Sequence, residues 1–289
     1  MSKFNLTTEF MGKRYHVDVE HPQSIAIPLN FDGKQPNHFG AETAKRQPLQ
    51  AGSFIGDTTK GGSCNVDTIQ LVPHCNGTHT ESIHHISDQK VSVGAIFNHS
   101  LSIACVISIE PKLAEATNDS YRPNLENADR VIDKAQLQQV LASETLENIE
   151  SLVVRSVPNH DVKKSNRYDD TNQPPFFTQE AMQWLADSPI KHLLVDFPSV
   201  DKMYDDGHLT NHHIYWNLEA DSHQLTDNAR CDRTITEMVF VPDDIDNGIY
   251  CLNLQIPAFE LDAAPSRPIL YPLIECSDDN FSANKSSEQ

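Results

Sequence analysis

The apolar positions of this chain fall mostly into short runs rich in β-branched residues, which is the pattern of strands. Ser24–Asn30, Val66–Val72, Val91–Phe97, Leu101–Ile109, Ser151–Val157, His192–Asp196, Thr234–Val241, Ile249–Ile256 and Pro268–Ile274 each read as one. Pro158, Pro242, Pro257 and Pro272 end these runs or mark edges, since proline brings no N–H to a ladder. Helical spacing shows in two places. Asp133–Ile149 puts Leu137, Val140 and Leu141 on one face. A second helix follows Thr178 as N-cap, with Phe177 placed to staple onto Met182 and Leu185 extending the apolar face. Many strands and few helices predict an α/β fold, a mixed sheet with few helices packed against it. No repeat or composition break divides the chain, so 1–276 is expected to form a single domain. The polar stretch 277–289 is expected to be a flexible tail. The interior stretch Asn159–Pro175 is the most loop-like, and loops of that length are often functional.

Composition narrows the partners. The 289 residues carry 22 Lys+Arg against 41 Asp+Glu, a net charge of −19. That excludes the basic face a nucleic-acid protein needs. No run approaches the ~20 apolar residues that span a bilayer, so no membrane partner is expected. The opening stretch has no apolar segment of a secretory signal, which makes the cytoplasm the expected location. Six cysteines, at 64, 75, 105, 231, 251 and 276, form no CxxC pair. They read as reduced thiols rather than as a zinc knuckle or a disulfide framework.

The 14 histidines are unevenly spread. Pro73-His74-Cys75-Asn76-Gly77-Thr78-His79-Thr80-Glu81-Ser82-Ile83-His84-His85 holds four of them, with a cysteine and a carboxylate, within twelve positions. In an extended chain alternate side chains share a face. Cys75, His79, Glu81 and His85 then point one way, and His74 and His84 the other. That parity favours Cys75 over His74 as a partner for His79 and Glu81, provided the turn signal Asn76-Gly77 does not rotate the first part out of phase. Imidazole and carboxylate with a thiolate suit Zn²⁺ best, with Mn²⁺ or Fe²⁺ as alternatives. A second cluster lies far along the chain, at Asp196–Asp201 and Asn211-His212-His213. Glu237 interrupts an apolar strand, where a carboxylate is costly to bury without a cation or hydrogen-bond donors.

These residues resemble a family, the cyclase-like metal-dependent hydrolases, which include bacterial kynurenine formamidase and isatin hydrolase. Its signature is His-x-Gly-Thr-His-x-Asp-x-Pro-x-His, followed much later by an Asp-x-x-Ser-x-Asp turn, a His and a Glu. Gly77-Thr78-His79 matches the Gly-Thr-His core, and His85 falls on the final His. Asp196-Phe197-Pro198-Ser199-Val200-Asp201 resembles the later turn, and His212 and Glu237 match the distal residues. The chain departs from the signature in holding Cys75 at the first ligand position, Glu81 for Asp and Ile83 for Pro. A stretch around Asp221–Arg233 looks inserted.

The resemblance implies a swivelling β/β/α fold, commonly a homodimer. It also implies a divalent metal held by His79, Glu81 and Cys75 or His74, with His212 and Glu237 completing the set, holding a second ion or orienting the water. The implied activity is hydrolysis of a small-molecule amide C–N bond by metal-activated water. The substrate would be an N-formyl aryl amine, as for an arylformamidase of tryptophan catabolism, or a cyclic amide. His85 would carry the proton, and Glu237 is the other catalytic candidate. Phe176, Phe177, Tyr215 and Trp216 are candidates for an aryl pocket or for the core. Two other classes compete: a metal-free cysteine hydrolase using Cys75, and a cyclase-fold metal-binding protein without turnover.

Overall fold

The β-branched runs assemble into a mixed sheet of eleven strands in the computed structural model, which describes residues 4–96 and 99–276. In chain order its strands are β1 (Thr7–Phe10), β2 (Lys13–Val17), β3 (Gln23–Ser24), β4 (His79–Ser82), β5 (Leu101–Ile109) and β6 (Ser151–Ser156). The others are β7 (His192–Val195), β8 (Thr234–Glu237), β9 (Gly248–Asn253), β10 (Ala263–Pro265) and β11 (Ile269–Glu275). Across the sheet the order is β1-β2-β11-β9-β5-β6-β7-β8-β4-β10, with β3 also paired to β11. The central four strands, β5 to β8, run parallel, and the flanking pairs are antiparallel.

Parallel strands need cover on both faces, and the alternation along β6 and β7 supplies it. Leu152, Val154, Leu193 and Val195 belong to a large core with Phe177, Met182, Leu185, Tyr215 and Trp216. Val153 and Leu194 point into a second core with Ile25, Val106, Val239 and Leu252. The larger core is closed by short helices. Among the described residues these are α2 (Lys134–Val140), α3 (Ser143–Leu146), α4 (Gln179–Ala186) and α5 (Thr210–Trp216), while α1 (Pro73–Asn76) packs against β10. Thr178 caps α4 as expected, its hydroxyl accepting the Ala181 N–H at 3.2 Å. No helix among the described residues is long and apolar enough to cross a membrane.

Several expected elements differ. Asp133–Ile149 is two helices, because Leu141 leaves helical geometry at the end of α2 and is buried in the core. Val91–Phe97 is no strand over its described part. It makes a 3-10 turn at Val93–Ala95, where a Cβ on Gly94 would lie 3.1 Å from the Ala258 backbone; Phe97 lies outside the described residues, as does 277–289. Val66–Val72 contributes only Asp67–Gln70, exposed and paired with Lys45–Pro48 away from the main sheet. Thr234–Val241 stops at Glu237, since Met238 takes a left-handed conformation (φ 52°). Ser24–Asn30 keeps only Ser24 in a strand, plus a bridge from Ala26 to Val239. The β1–β2 hairpin was not foreseen; Met11 and Gly12, both at positive φ, turn it.

Candidate metal centre

The site begins with strand register. In the antiparallel pair of β4 and β8, His79 stands opposite Glu237, and Glu81 opposite Ile235. Ile235 belongs to the larger core, so all four side chains share the face covered by α5. Thr80 and Thr236 take the other face, where their hydroxyls meet at 2.7 Å. The Thr78 hydroxyl accepts the Ile27 N–H and donates to the Met238 carbonyl, pinning the turn that follows Glu237. This is the physical content of Gly77-Thr78-His79. The threonine locks the backbone, and the histidine is delivered beside the carboxylate of the partner strand.

Three further elements bring side chains to the same face. In α1 the ring of His74 reaches Glu81 Oε2 through Nδ1 at 3.0 Å and Asp262 Oδ2 through Nε2 at 2.8 Å. The 3-10 turn Ile83–His85 after β4 places His85 Nε2 3.9 Å from Glu81 Oε2 and Nδ1 3.5 Å from Asp262 Oδ2. From α5, His212 Nε2 lies 2.8 Å from Glu81 Oε1 and 3.9 Å from Glu237 Oε1. His79 Nε2 is 3.4 Å from Glu237 Oε2, and the Val200 N–H donates to Glu237 Oε1 at 2.9 Å. Glu81, fully buried, is the hub. Glu237 is also buried, so the carboxylate in its apolar strand faces this cluster rather than water.

The expected parity does not hold for the first residues. Pro73–Asn76 is one helical turn, opened by Pro73 and closed by the Asn76 side chain accepting the Val72 N–H. Neighbours on a helix are ~100° apart, so His74 rather than Cys75 joins His79 and Glu81. Three groups of side chains have ligand atoms close enough to share an ion: His74, His79 and Glu81; Glu81, His85 and His212; and His74, His85 and Asp262. Cys75 is in none of them. Burial and the negative charge of Glu237 push its thiol pKa up, the opposite of what a thiolate nucleophile needs.

Each of three imidazoles is held at the ring nitrogen that faces away from Glu81. His79 Nδ1–H donates to the Gly77 carbonyl at 2.9 Å. His212 Nδ1–H donates to Asp201 Oδ2, and His74 Nε2–H to Asp262 Oδ2. Carbonyls and carboxylates only accept, so the inward atoms are His79 Nε2, His212 Nε2 and His74 Nδ1. His79 Nε2 is buried without a hydrogen-bond partner, and the buried Glu81 Oε2 meets only imidazole nitrogens, His74 Nδ1 at 3.0 Å and His85 Nε2 at 3.9 Å. Buried imidazole and carboxylate atoms converging in this way form a donor set that fits a divalent cation.

Charge agrees with that geometry. Burial works against a positive His74, but its hydrogen bonds to Asp262 and Glu81 raise its pKa to about 10. Burial likewise opposes charge on His212, and the Glu81 and Asp201 carboxylates override it and raise its pKa strongly. Glu81 is held well below the usual carboxylate range despite full burial, by the charges of His85 and His212 and hydrogen bonds from His212 and His74. The protons that His74 and His212 turn toward Glu81 are those a bound cation would replace.

Four neighbouring residues were not singled out from the sequence as site residues. Asp201 accepts from His212 Nδ1, from the Asn211 N–H and from the Tyr121 hydroxyl at 2.7 Å, so it caps α5 and orients its histidine together. It stands in the Asp196–Asp201 turn, which was the available signal. Tyr121 and Asp262 are isolated in sequence. His38, also isolated, is buried without a hydrogen-bond partner on either ring nitrogen. Burial and the nearby His79 bring its pKa down to about 3. Phe176, Phe177, Tyr215 and Trp216 are all buried within the cores.

The fold and this cluster define a cyclase-type scaffold. The chain belongs to the Cyclase family, whose model matches residues 7–202. Among solved structures, an isatin hydrolase bound to the product analogue thioisatinate is similar, with TM-score 0.57 and 15% identity over 89% of this chain and 93% of that one. Isatin hydrolase A from Labrenzia aggregata, bound to benzyl benzoate, gives 0.54 and 12% over 88% and 93%. A predicted metal-dependent hydrolase from Bacillus stearothermophilus gives 0.56 and 14% over 87% and 98%. At these identities the likeness shows the fold. No curated protein matches by sequence.

Proposed function

We propose that this protein is a metal-dependent hydrolase that cleaves the C–N bond of a small N-aryl amide, an N-formyl aryl amine or a ring-closed amide of the isatin type. The observation that carries the reading is the convergence of His74 Nδ1, His79 Nε2 and His212 Nε2 on the buried Glu81 carboxylate. His74, His79 and Glu81 hold the ion, with His212 and Glu237 completing the set; zinc suits these donors best. When bound, the cation supplies Lewis acidity to the amide carbonyl and lowers the pKa of water beside it.

The rest falls to the chain's own side chains. Glu237 is fixed by the Val200 N–H, which leaves Oε2 toward His79 and the reacting water. His85, part-exposed, takes a proton from that water at Nε2 and returns it to the leaving nitrogen. Phe39, exposed beside His38 and 6.2 Å from the Tyr204 ring, offers the aryl contact that the core aromatics do not. The site draws on residues from 74 to 262, which supports reading 1–276 as one domain, and the homodimer belongs to the same reading. The isatin hydrolases that share the fold support the substrate class.

The test is elemental analysis of protein purified without added metal, with isatin and N-formylkynurenine hydrolysis followed before and after chelation. Bound transition metal and hydrolysis of one of the two, lost on chelation and restored by zinc or manganese, is the expected result. Hydrolysis intact without metal contradicts the mechanism. Bound metal with neither substrate turned over favours the binding-protein reading.

A further inference from the structure

We propose that Asp262, which lies beyond the residues matched by the family model, is a positioning residue for two imidazoles. It fixes His74 as an Nδ1 ligand and turns His85 so that Nε2 faces the reaction. The inference rests on the metal centre proposed above and names the part of it that the family signature does not contain.

One oxygen does both tasks. Asp262 Oδ2 is 2.8 Å from His74 Nε2 and 3.5 Å from His85 Nδ1. The two rings stack with centroids 4.2 Å apart and planes 27° from parallel, so their edges present these nitrogens side by side. Because the carboxylate only accepts, it keeps a proton on His74 Nε2 and leaves Nδ1 for a cation beside Glu81 Oε2, 3.0 Å away. A carboxylate behind a ligating imidazole fixes its tautomer and makes it a better donor.

The backbone around Asp262 is tied down. Its carbonyl accepts both the Ser82 N–H at 2.9 Å and the Ser82 hydroxyl at 3.1 Å. The Leu261 carbonyl accepts the Val93 N–H, and Ala263 begins the pairing with β4 directly opposite Glu81. The carboxylate therefore has a fixed origin one residue before β10, the strand paired with the one that carries the hub. The arrangement also explains how a ligand can shift by one position. The α1 turn aims His74 toward β10, and the residue entering β10 is the aspartate that receives its far nitrogen.

The test is a zinc titration of chelator-stripped, full-length protein against a chromophoric chelator, with visible spectra of the cobalt-loaded forms. Wild type, Asp262→Ala and Asp262→Asn are compared. Asp262→Ala is expected to weaken zinc binding ~10- to 100-fold and to change the cobalt spectrum. Asp262→Asn, whose amide oxygen still accepts from His74, is expected to keep the wild-type spectrum and most of the affinity. Should the alanine variant fail to fold, an asparagine variant with intermediate affinity and the wild-type spectrum carries the same conclusion. Wild-type affinity and spectrum in both variants overturns the role of Asp262 while leaving the metal centre standing. Loss of one of two zinc equivalents in Asp262→Ala overturns it too, since Asp262 is then itself a ligand. A wild-type protein that binds no zinc or cobalt overturns both readings together.

Discussion

The centre is built from two unlike regions. His79, Glu81 and Glu237 sit on β4 and β8, where register alone decides which side chains meet. His74, His85, His212 and Asp262 arrive from a helical turn, a 3-10 turn, a short helix and a strand entry. The strand part needs no outside carboxylate, since the Gly77 carbonyl and the Val200 N–H, both main-chain groups, hold His79 and Glu237. The turn part depends on Asp201 and Asp262 to aim its imidazoles. Strands supply position, and the turns supply side chains that a second residue has to hold. The contrast also separates buried histidines by company. His74 and His212, facing carboxylates, are pushed toward the charged form, whereas burial drives His192 and His38 toward the neutral form.

The largest expected effect breaks the strand part. Glu81→Ala removes the hub and leaves His74 and His212 without their shared partner. We expect loss of bound metal and a fall in hydrolysis of about 10³-fold, or about 4 kcal/mol of transition-state stabilisation, measured by elemental analysis and steady-state rates. Next comes the turn part. Asp201→Ala frees His212 and uncaps α5, and is expected to cost ~10- to 100-fold in metal affinity, read by chelator competition. A similar loss in His213→Ala, whose side chain bonds the Leu209 and Ser222 carbonyls and not the site, would remove the distinction.

The buried histidines predict an acid limit to stability. His192 on β7 is held down to about 4 by burial, against an ordinary value of 6.5. A histidine with a lowered folded pKa stabilises fully above its unfolded pKa, and that contribution is lost as pH falls through 6.5 toward 4. Between pH 7 and pH 5.5 this single group should cost about 1 kcal/mol, seen as a falling urea midpoint. His192→Gln should flatten the fall, and an unchanged slope contradicts the assignment. The smallest effect is at Cys75. Cys75→Ser should change metal affinity less than about threefold, whereas His74→Ala should lower it by ~10-fold or more.

What could be read from the sequence follows the same division. His79 and Glu81 were legible as a pair because strand periodicity maps sequence spacing onto a face, and Glu237 as a carboxylate inside an apolar strand. The parallel core strands were legible for the same reason, as continuous apolar runs. His74 was ranked below Cys75 because the extended reading was carried through Pro73–Asn76, where proline and the asparagine cap wind a helical turn. Leu141 shows the opposite failure: helical spacing continued past the point where burial of one leucine pulled the chain out of the helix. Asp262 and His38 carried no local signal. Each stands alone in sequence and reaches the site only through β-sheet closure and backbone contacts across the fold.

X-ray absorption at the zinc edge of the zinc-loaded protein tests the central claim most directly. Zinc–sulfur and zinc–nitrogen distances are well separated, at ~2.3 Å and ~2.0–2.1 Å. With His74, His79, His212 and carboxylates as ligands, the spectrum should show nitrogen and oxygen scatterers only, with the multiple-scattering pattern of imidazole rings. A sulfur scatterer would place Cys75 on the metal and contradict the ligand set derived from the α1 turn.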